Sequence, residues 1–104
     1  MNPKFEDSNL SYGNFIGLKM KKNIFSNCIL NDVDFSQTDL SESDFKGSDL
    51  LNTRFHDTTL LKANFQGAKN YQIDPILNKV RGAKFTMPEA LGLLNGLGVV
   101  ISNH

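Results

Sequence analysis

Residues 33–65 read VDFSQ TDLSE SDFKG SDLLN TRFHD TTLLK ANF, and this stretch decides the fold. The third residue of every group of five is Phe or Leu: Phe35, Leu40, Phe45, Leu50, Phe55, Leu60 and Phe65. Toward the N-terminus the same spacing takes in Phe5, Leu10, Phe15, Met20, Phe25 and Leu30, so thirteen consecutive positions are large and apolar. Leu, Phe and Met fill only 24 of 104 positions, and thirteen successive coincidences do not arise at that frequency. All eight phenylalanines, Phe85 included, stand at numbers ending in five.

Two residues before each apolar centre lies a second series of mostly small side chains: Ser8, Gly13, Cys28, Val33, Thr38, Ser43, Ser48, Thr53, Thr58, Ala63 and Ala68. Pro3, Leu18 and Asn23 depart from it, and the other three positions of each five are mostly polar. A helix repeats at about 3.6 residues and a strand at 2, and neither period explains five. A chain that turns through about a right angle every five residues does. The centre and the residue two before it then point inward, four sides close a coil of twenty residues, and coils stack at about the 4.8 Å of paired strands. The expectation is an all-β, right-handed quadrilateral β-helix of about four coils. Residues twenty apart then form columns: Phe5–Phe25–Phe45–Phe65, Phe15–Phe35–Phe55, Leu10–Leu30–Leu50 and Met20–Leu40–Leu60.

The triplets Ser43-Asp44-Phe45, Ser48-Asp49-Leu50 and Ala63-Asn64-Phe65 carry a resemblance to the pentapeptide-repeat family, whose unit is often written A(D/N)LXX. The resemblance covers residues 3–70 closely, and its motif is specific for fold but not for function. It implies a bacterial, non-enzymatic solenoid. The quinolone-resistance and mycobacterial members are held to imitate duplex DNA and so occupy DNA gyrase or topoisomerase IV. Their fold can host that function, but fold alone does not imply it.

After Ala68 the pattern fails at Asn70, Pro75 and Val80, and residues 70–82 are expected to form a loop interrupting the last coil. Ala83 and Phe85 restore one repeat twenty residues after Phe65, which places a last core layer there. The repeat domain is thus 1–86, followed by a C-terminal segment 87–104. Thr86 with Glu89 has the spacing of a capping box and Pro88 suits a first turn, so a short capping helix is expected over about 87–95, then an extended end. This end is similar to the C-terminal cap of bacterial pentapeptide-repeat proteins, the quinolone-resistance branch among them, and in several of those it also forms a two-fold dimer. Ala90, Leu91, Leu94 and Leu97 can cover the last coil. Leu93, Val99 and Ile101 either pack on that coil too or face a second subunit, so a homodimer through the cap is one of two open arrangements.

Eleven basic residues balance eleven acidic ones, so bulk charge selects neither nucleic acid nor membrane as a partner. One cysteine excludes an intrachain disulfide, and no apolar run approaches the length of a bilayer span; a cytoplasmic protein is expected. Catalysis finds no support. His56 follows an inward Phe and His104 is terminal, and neither has a nucleophile at a readable spacing. Cys28 falls at an inward position and reads as a core thiol. Asp34, Asp39, Asp44 and Asp49 lie on four different sides of one coil and cannot converge on a metal. No cofactor is expected, since the inward side chains fill the interior.

Along the chain, residues 1–31 carry a net +2, residues 32–57 a net −5 and residues 58–104 a net +3. Columns twenty apart set Asp39 beside Lys19, Asp34 beside Arg54 and Asp49 beside Lys69, and cross-coil ion pairing is the expected reason for the belt. A DNA mimic needs a long rod with a dominant negative field, which this pattern does not supply. The reading is a structural or protein-interaction module with an unidentified protein partner, and the alternative is a topoisomerase binder giving fluoroquinolone protection. Apolar residues outside the inward pattern, Ile16, Ile24, Ile29, Leu51, Leu61 and Tyr71, are the expected partner patch.

Overall fold

What makes the chain turn every five residues is visible in its backbone. In a computed structural model, which describes residues 4–100 and Ser102, every fifth residue from Asp7 to Gly67 has a φ between 50° and 72°. The left-handed region is favoured by Gly, Asn and Asp, which supply eight of these thirteen corners. The residue after most corners donates its N–H back to the preceding centre, as Gly13 does to the Leu10 carbonyl at 3.1 Å and Thr53 to Leu50 at 3.1 Å, whereas Cys28 N and Thr58 N donate to the Ser48 hydroxyl and Asn78 Oδ1 of the next coil. This is a β-turn with a positive φ at its third residue.

Four corners return the chain to the same side after twenty residues, and it pairs in parallel with itself. Short strands β1 (Lys4–Glu6) and β2 (Ile24–Ser26) align Phe5 with Phe25, and β3 (Asn64–Phe65) and β4 (Lys84–Phe85) align Phe65 with Phe85. Isolated bridges such as Asn9 with Ile29 and Asp34 with Arg54 keep the same offset elsewhere. The protein is a β-solenoid. Its first side is centred on Phe5, Phe25, Phe45, Phe65 and Phe85, its second on Leu10, Leu30 and Leu50, its third on Phe15, Phe35 and Phe55, and its fourth on Met20, Leu40, Leu60 and Val80.

The axis is solid. Phe25, Phe35, Phe45, Phe65, Leu30, Leu40, Leu50 and Leu60 are wholly buried, Phe55 nearly so, and Phe5, Phe15 and Phe85 are half-buried at the two ends. Rings on the first side stack at 5.4, 5.2, 4.9 and 5.0 Å between centroids, and on the third side at 5.2 and 5.6 Å. The two ladders meet edge to face, with Phe25 and Phe35 5.6 Å apart at 71° and Phe45 and Phe55 6.2 Å apart at 86°.

The small inward residues have a second duty besides fitting. The hydroxyls of Thr38, Ser43, Thr53 and Thr58 donate to the carbonyls of Phe15, Met20, Leu30 and Phe35 in the coil before, at 2.7–3.0 Å, and Ser48 does the same to Phe25. The carbonyls of Phe15, Met20, Leu30 and Phe35 already accept the N–H of their own turn, as Leu30 does from Val33 N at 3.2 Å, so each hydroxyl adds a second bond that ties one coil to the next; such a bond contributes about 0.5–1.5 kcal/mol.

The loop expected over 70–82 is shorter than that. Thr59 already bridges Lys79, Leu60 N donates to Lys79 O at 2.7 Å, and Lys62 N donates to Arg81 O at 2.9 Å, so the chain is back in register there. Asn78 takes a small residue's place, accepting from Thr58 N at 3.0 Å and donating to the carbonyls of Phe55 and Asp74. Val80 packs on the core as an ordinary centre. The departure lies between Asn70 and Leu77, where Tyr71 and Ile73 turn into the core instead of an aligned Leu and Phe.

The helix also differs from expectation. It is a 3-10 helix over Glu89–Leu97, with an acid in its first turn and Gly92 and Gly96 inside it, and two glycines in nine residues weaken an α-helix. Thr86 does not cap it, because the Thr86 hydroxyl accepts from Gly67 N at 3.0 Å. Gly96 lies so close to the 70–77 departure that a Cβ there would come within 2.8 Å of both the Asp74 carboxylate and the Pro75 ring.

Candidate interaction surfaces

With its axis filled by rings, the molecule can meet a partner only through its four sides and two ends. What each side presents follows from the repeat. The residue before each centre and the two after it face outward, and the first of these does more than display its side chain. Asn9, Asn14, Asp34, Asp39, Asp44, Asp49 and Asn64 each accept, through Oδ1, the N–H of the residue two further on, at 2.9–3.3 Å. Charge counting hides this role: the Asp or Asn of the repeat unit builds the corner.

Partial burial alone would raise the Asp34 and Asp39 carboxyls. For Asp34 the Ser36 hydroxyl and N–H and the Arg54 charge outweigh it; for Asp39 the Ser41 hydroxyl and N–H and the charges of Lys21 and Lys19 do so, and both carboxyls are held below the ordinary 3.8. A carboxyl lowered on folding stabilises the fold above pH 3.8, and that contribution is lost as pH falls further. Asp39→Ala should therefore cost about 1 kcal/mol in urea unfolding at pH 7, and Asp39→Asn, which keeps the acceptor, about half of that or less. Equal losses would show that the charge and not the turn is what matters.

Cross-coil ion pairing is weaker than the sequence suggests. Arg54 approaches Asp34 at 4.0 Å with most of the arginine exposed, while Asp49 accepts from Asn70 Nδ2 at 2.9 Å and no close Lys19–Asp39 or Lys69–Asp49 pair forms among the described residues. Such exposed pairs contribute about 0–1 kcal/mol.

Sorting charges by side replaces the picture of an acidic belt between basic ends. The first side carries three cations and three carboxylates, the second Asp32, Asp49 and Lys69, and the third Asp34, Asp57 and Asp74 against Arg54. The fourth carries Lys19, Lys21, Lys22, Lys62, Lys79 and Arg81 against Asp39 and Glu42, a net of +4. The asymmetry runs across the rod.

The residues named as a partner patch do not form one. Ile29 and Leu51 are exposed on the second side, Ile16 on the third and Leu61 on the fourth, Ile24 is half-buried, and Tyr71 is buried against Phe65 and Phe85 at 6.2 and 5.4 Å. Sequence reasoning missed Tyr71 as a core residue, because it stands one place after the expected centre. Its hydroxyl is buried with no hydrogen-bond partner. It lines a depression of about 550 Å³ with Gln72, Ile73, Asp74, Gly92 and Gly96.

At the C-terminal end Leu93 packs on the core and Leu94 is half-buried, whereas Leu91, Leu97 and Val99 are exposed, and Val100 more so. Ile101 and His104 lie outside the described residues. Cys28 is buried, its thiol pushed up by burial and donating to the Phe5 carbonyl at 3.3 Å. His56 is exposed, with Nε2 3.6 Å from Asp57. Among the described residues no group of three metal-binding side chains gathers, and no helix is long and apolar enough to cross a membrane.

No curated protein matches the chain. Two solved structures of trypsin-treated QnrB1 variants, each described as a plasmid-mediated fluoroquinolone resistance protein, share its fold. One has a TM-score of 0.78 at 18% identity over 96% of this chain, the other 0.73 at 19% over 91%. The chain spans about half of theirs, 49% and 45%. A family model described as a pentapeptide repeat region matches residues 1–86. With its five-residue corners, ringed axis and that match, the chain belongs to the pentapeptide-repeat family.

Proposed function

We propose that the protein is a non-enzymatic interaction module: a right-handed four-sided stack of about four coils, closed by the Glu89–Leu97 helix, that presents its sides to a protein partner. The observation that carries this reading is the filled axis, which leaves no enclosed cavity among the stacked rings and puts all chemical variety on flat outer faces. The exposed Leu91, Leu97 and Val99 are the proposed seam of a homodimer. Photo-crosslinking residues placed in turn at Ser26, Asn52, Gln37 and Lys62, one per side, test the module in its native cell. Cross-links gathered on one side to one discrete protein are the expected result. Even labelling of all four sides, or none, overturns it.

A second reading, binding to DNA gyrase or topoisomerase IV with fluoroquinolone protection, draws on the structural likeness to QnrB1. The most negative side here carries only a net −2, little for an imitation of duplex DNA. A supercoiling assay with purified gyrase, with and without ciprofloxacin, separates the readings. No effect at high molar excess is expected; protection or inhibition at micromolar protein would make the topoisomerase the partner.

A further inference from the structure

The fourth side differs from the others in more than net charge. Its six cations are all exposed, and among the described residues the close ion pairs lie on other sides: Lys4 with Glu6 on the first, Arg54 with Asp34 and His56 with Asp57 on the third. Its cations also fall into two groups. Lys19, Lys21 and Lys22 occupy one coil, and Lys79 and Arg81 stand three coils later, about 14 Å away at strand spacing, with Lys62 leaning the second group inward. Between them lie Asp39 and Glu42, and the exposed Leu61. The side therefore reads positive, then negative and apolar, then positive.

We infer that the fourth side docks an acidic polypeptide segment whose carboxylates cluster at two ends of a short apolar or basic centre. A uniform polyanion is a poorer fit, because its middle charges would lie over Asp39 and Glu42, and like charges brought together weaken a complex. Leu61, set among the cations, gives a peptide side chain an apolar contact that a phosphate backbone cannot use. An extended peptide such as Glu-Glu-Leu-Lys-Leu-Glu-Glu holds its two acidic pairs about 16 Å apart at roughly 3.3 Å per residue, close to the spacing of the two basic groups. This inference rests on the interaction reading above and adds the chemistry of the partner.

Fluorescence anisotropy with that peptide, labelled, tests it on the intact chain. Binding should exceed that of the rearranged peptide Leu-Lys-Glu-Glu-Glu-Glu-Leu about fivefold and weaken with salt. Lys21→Glu with Lys62→Glu should lose about tenfold, whereas Lys46→Glu with Lys69→Glu, the same charge change on the first and second sides, should lose less than about threefold. Unchanged far-ultraviolet dichroism shows that the variants keep their fold. No binding, equal losses for the two variant pairs, equal affinity for the two peptides, or tighter capture of duplex DNA or phosphatidylglycerol vesicles overturns the assignment. A partner cross-linked through another side and indifferent to Lys21→Glu with Lys62→Glu sinks this inference alone; failure of every side to cross-link sinks the interaction reading itself.

Discussion

Replacing Phe45 by alanine is expected to lower the free energy of unfolding by about 3–5 kcal/mol. Phe45 is wholly buried and stacks on Phe25 at 5.2 Å and on Phe65 at 4.9 Å, while meeting Phe35 and Phe55 edge-on at 5.8 and 6.2 Å. Truncation removes a rung shared by two ladders. The neighbouring coils cannot close the gap, since backbone pairing above and below holds them at strand spacing. Equilibrium urea unfolding reads the loss directly. A change under about 1 kcal/mol would falsify the view that the rings form one continuous column.

Tyr71 gives the second large effect, and its sign depends on the replacement. Tyr71→Ala should cost about 3 kcal/mol, because the ring packs on both Phe65 and Phe85 where the aligned coil is missing. Tyr71→Phe should stabilise the protein by about 1 kcal/mol, since the phenol oxygen is buried without a hydrogen-bond partner. Burial first, then the Glu89 charge, raises the Tyr71 phenol above its ordinary 10.0. A group whose pKa rises on folding keeps the unfolded chain the readier to lose its proton. Stability should thus begin to fall above pH 10, and Tyr71→Phe should lessen that fall. Thermal melts between neutral pH and pH 11 check both points; a phenylalanine variant less stable than the parent would show that the hydroxyl has a partner after all.

How much of this was legible before any coordinates follows from particular residues. The Phe and Leu centres announce themselves because every inward position repeats the same chemical choice, and a period of five has no competitor among helices and strands. The chain between Asn70 and Leu77 was opaque because Tyr71 and Ile73 fill the core from unaligned positions, which a fixed count cannot find. Val80 and Asn78 are hidden for the opposite reason: both keep the twenty-residue offset, but Val is smaller than the Leu60 and Leu40 of its column and Asn carries an amide where Thr58 and Thr38 carry hydroxyls, so neither resembles its column. The acidic repeat positions were read as surface charge, although Asp34 and Asp39 hold turns, because a hydrogen bond to a backbone N–H two residues on leaves no trace in a charge tally. The basic fourth side was hidden in the same way. Lys19, Lys62 and Arg81 are distant along the chain and neighbours only once it is wound.

The fixed offset of twenty between stacked residues has a consequence for how such a rod can change its length. Removing or adding five residues would rotate everything downstream by a quarter turn, so that phenylalanine would come to rest over leucine and a lysine flank over an aspartate flank. Only whole windings leave each wall facing its former direction, so the rod grows or shortens in steps of one storey, and every decorated wall is carried along intact.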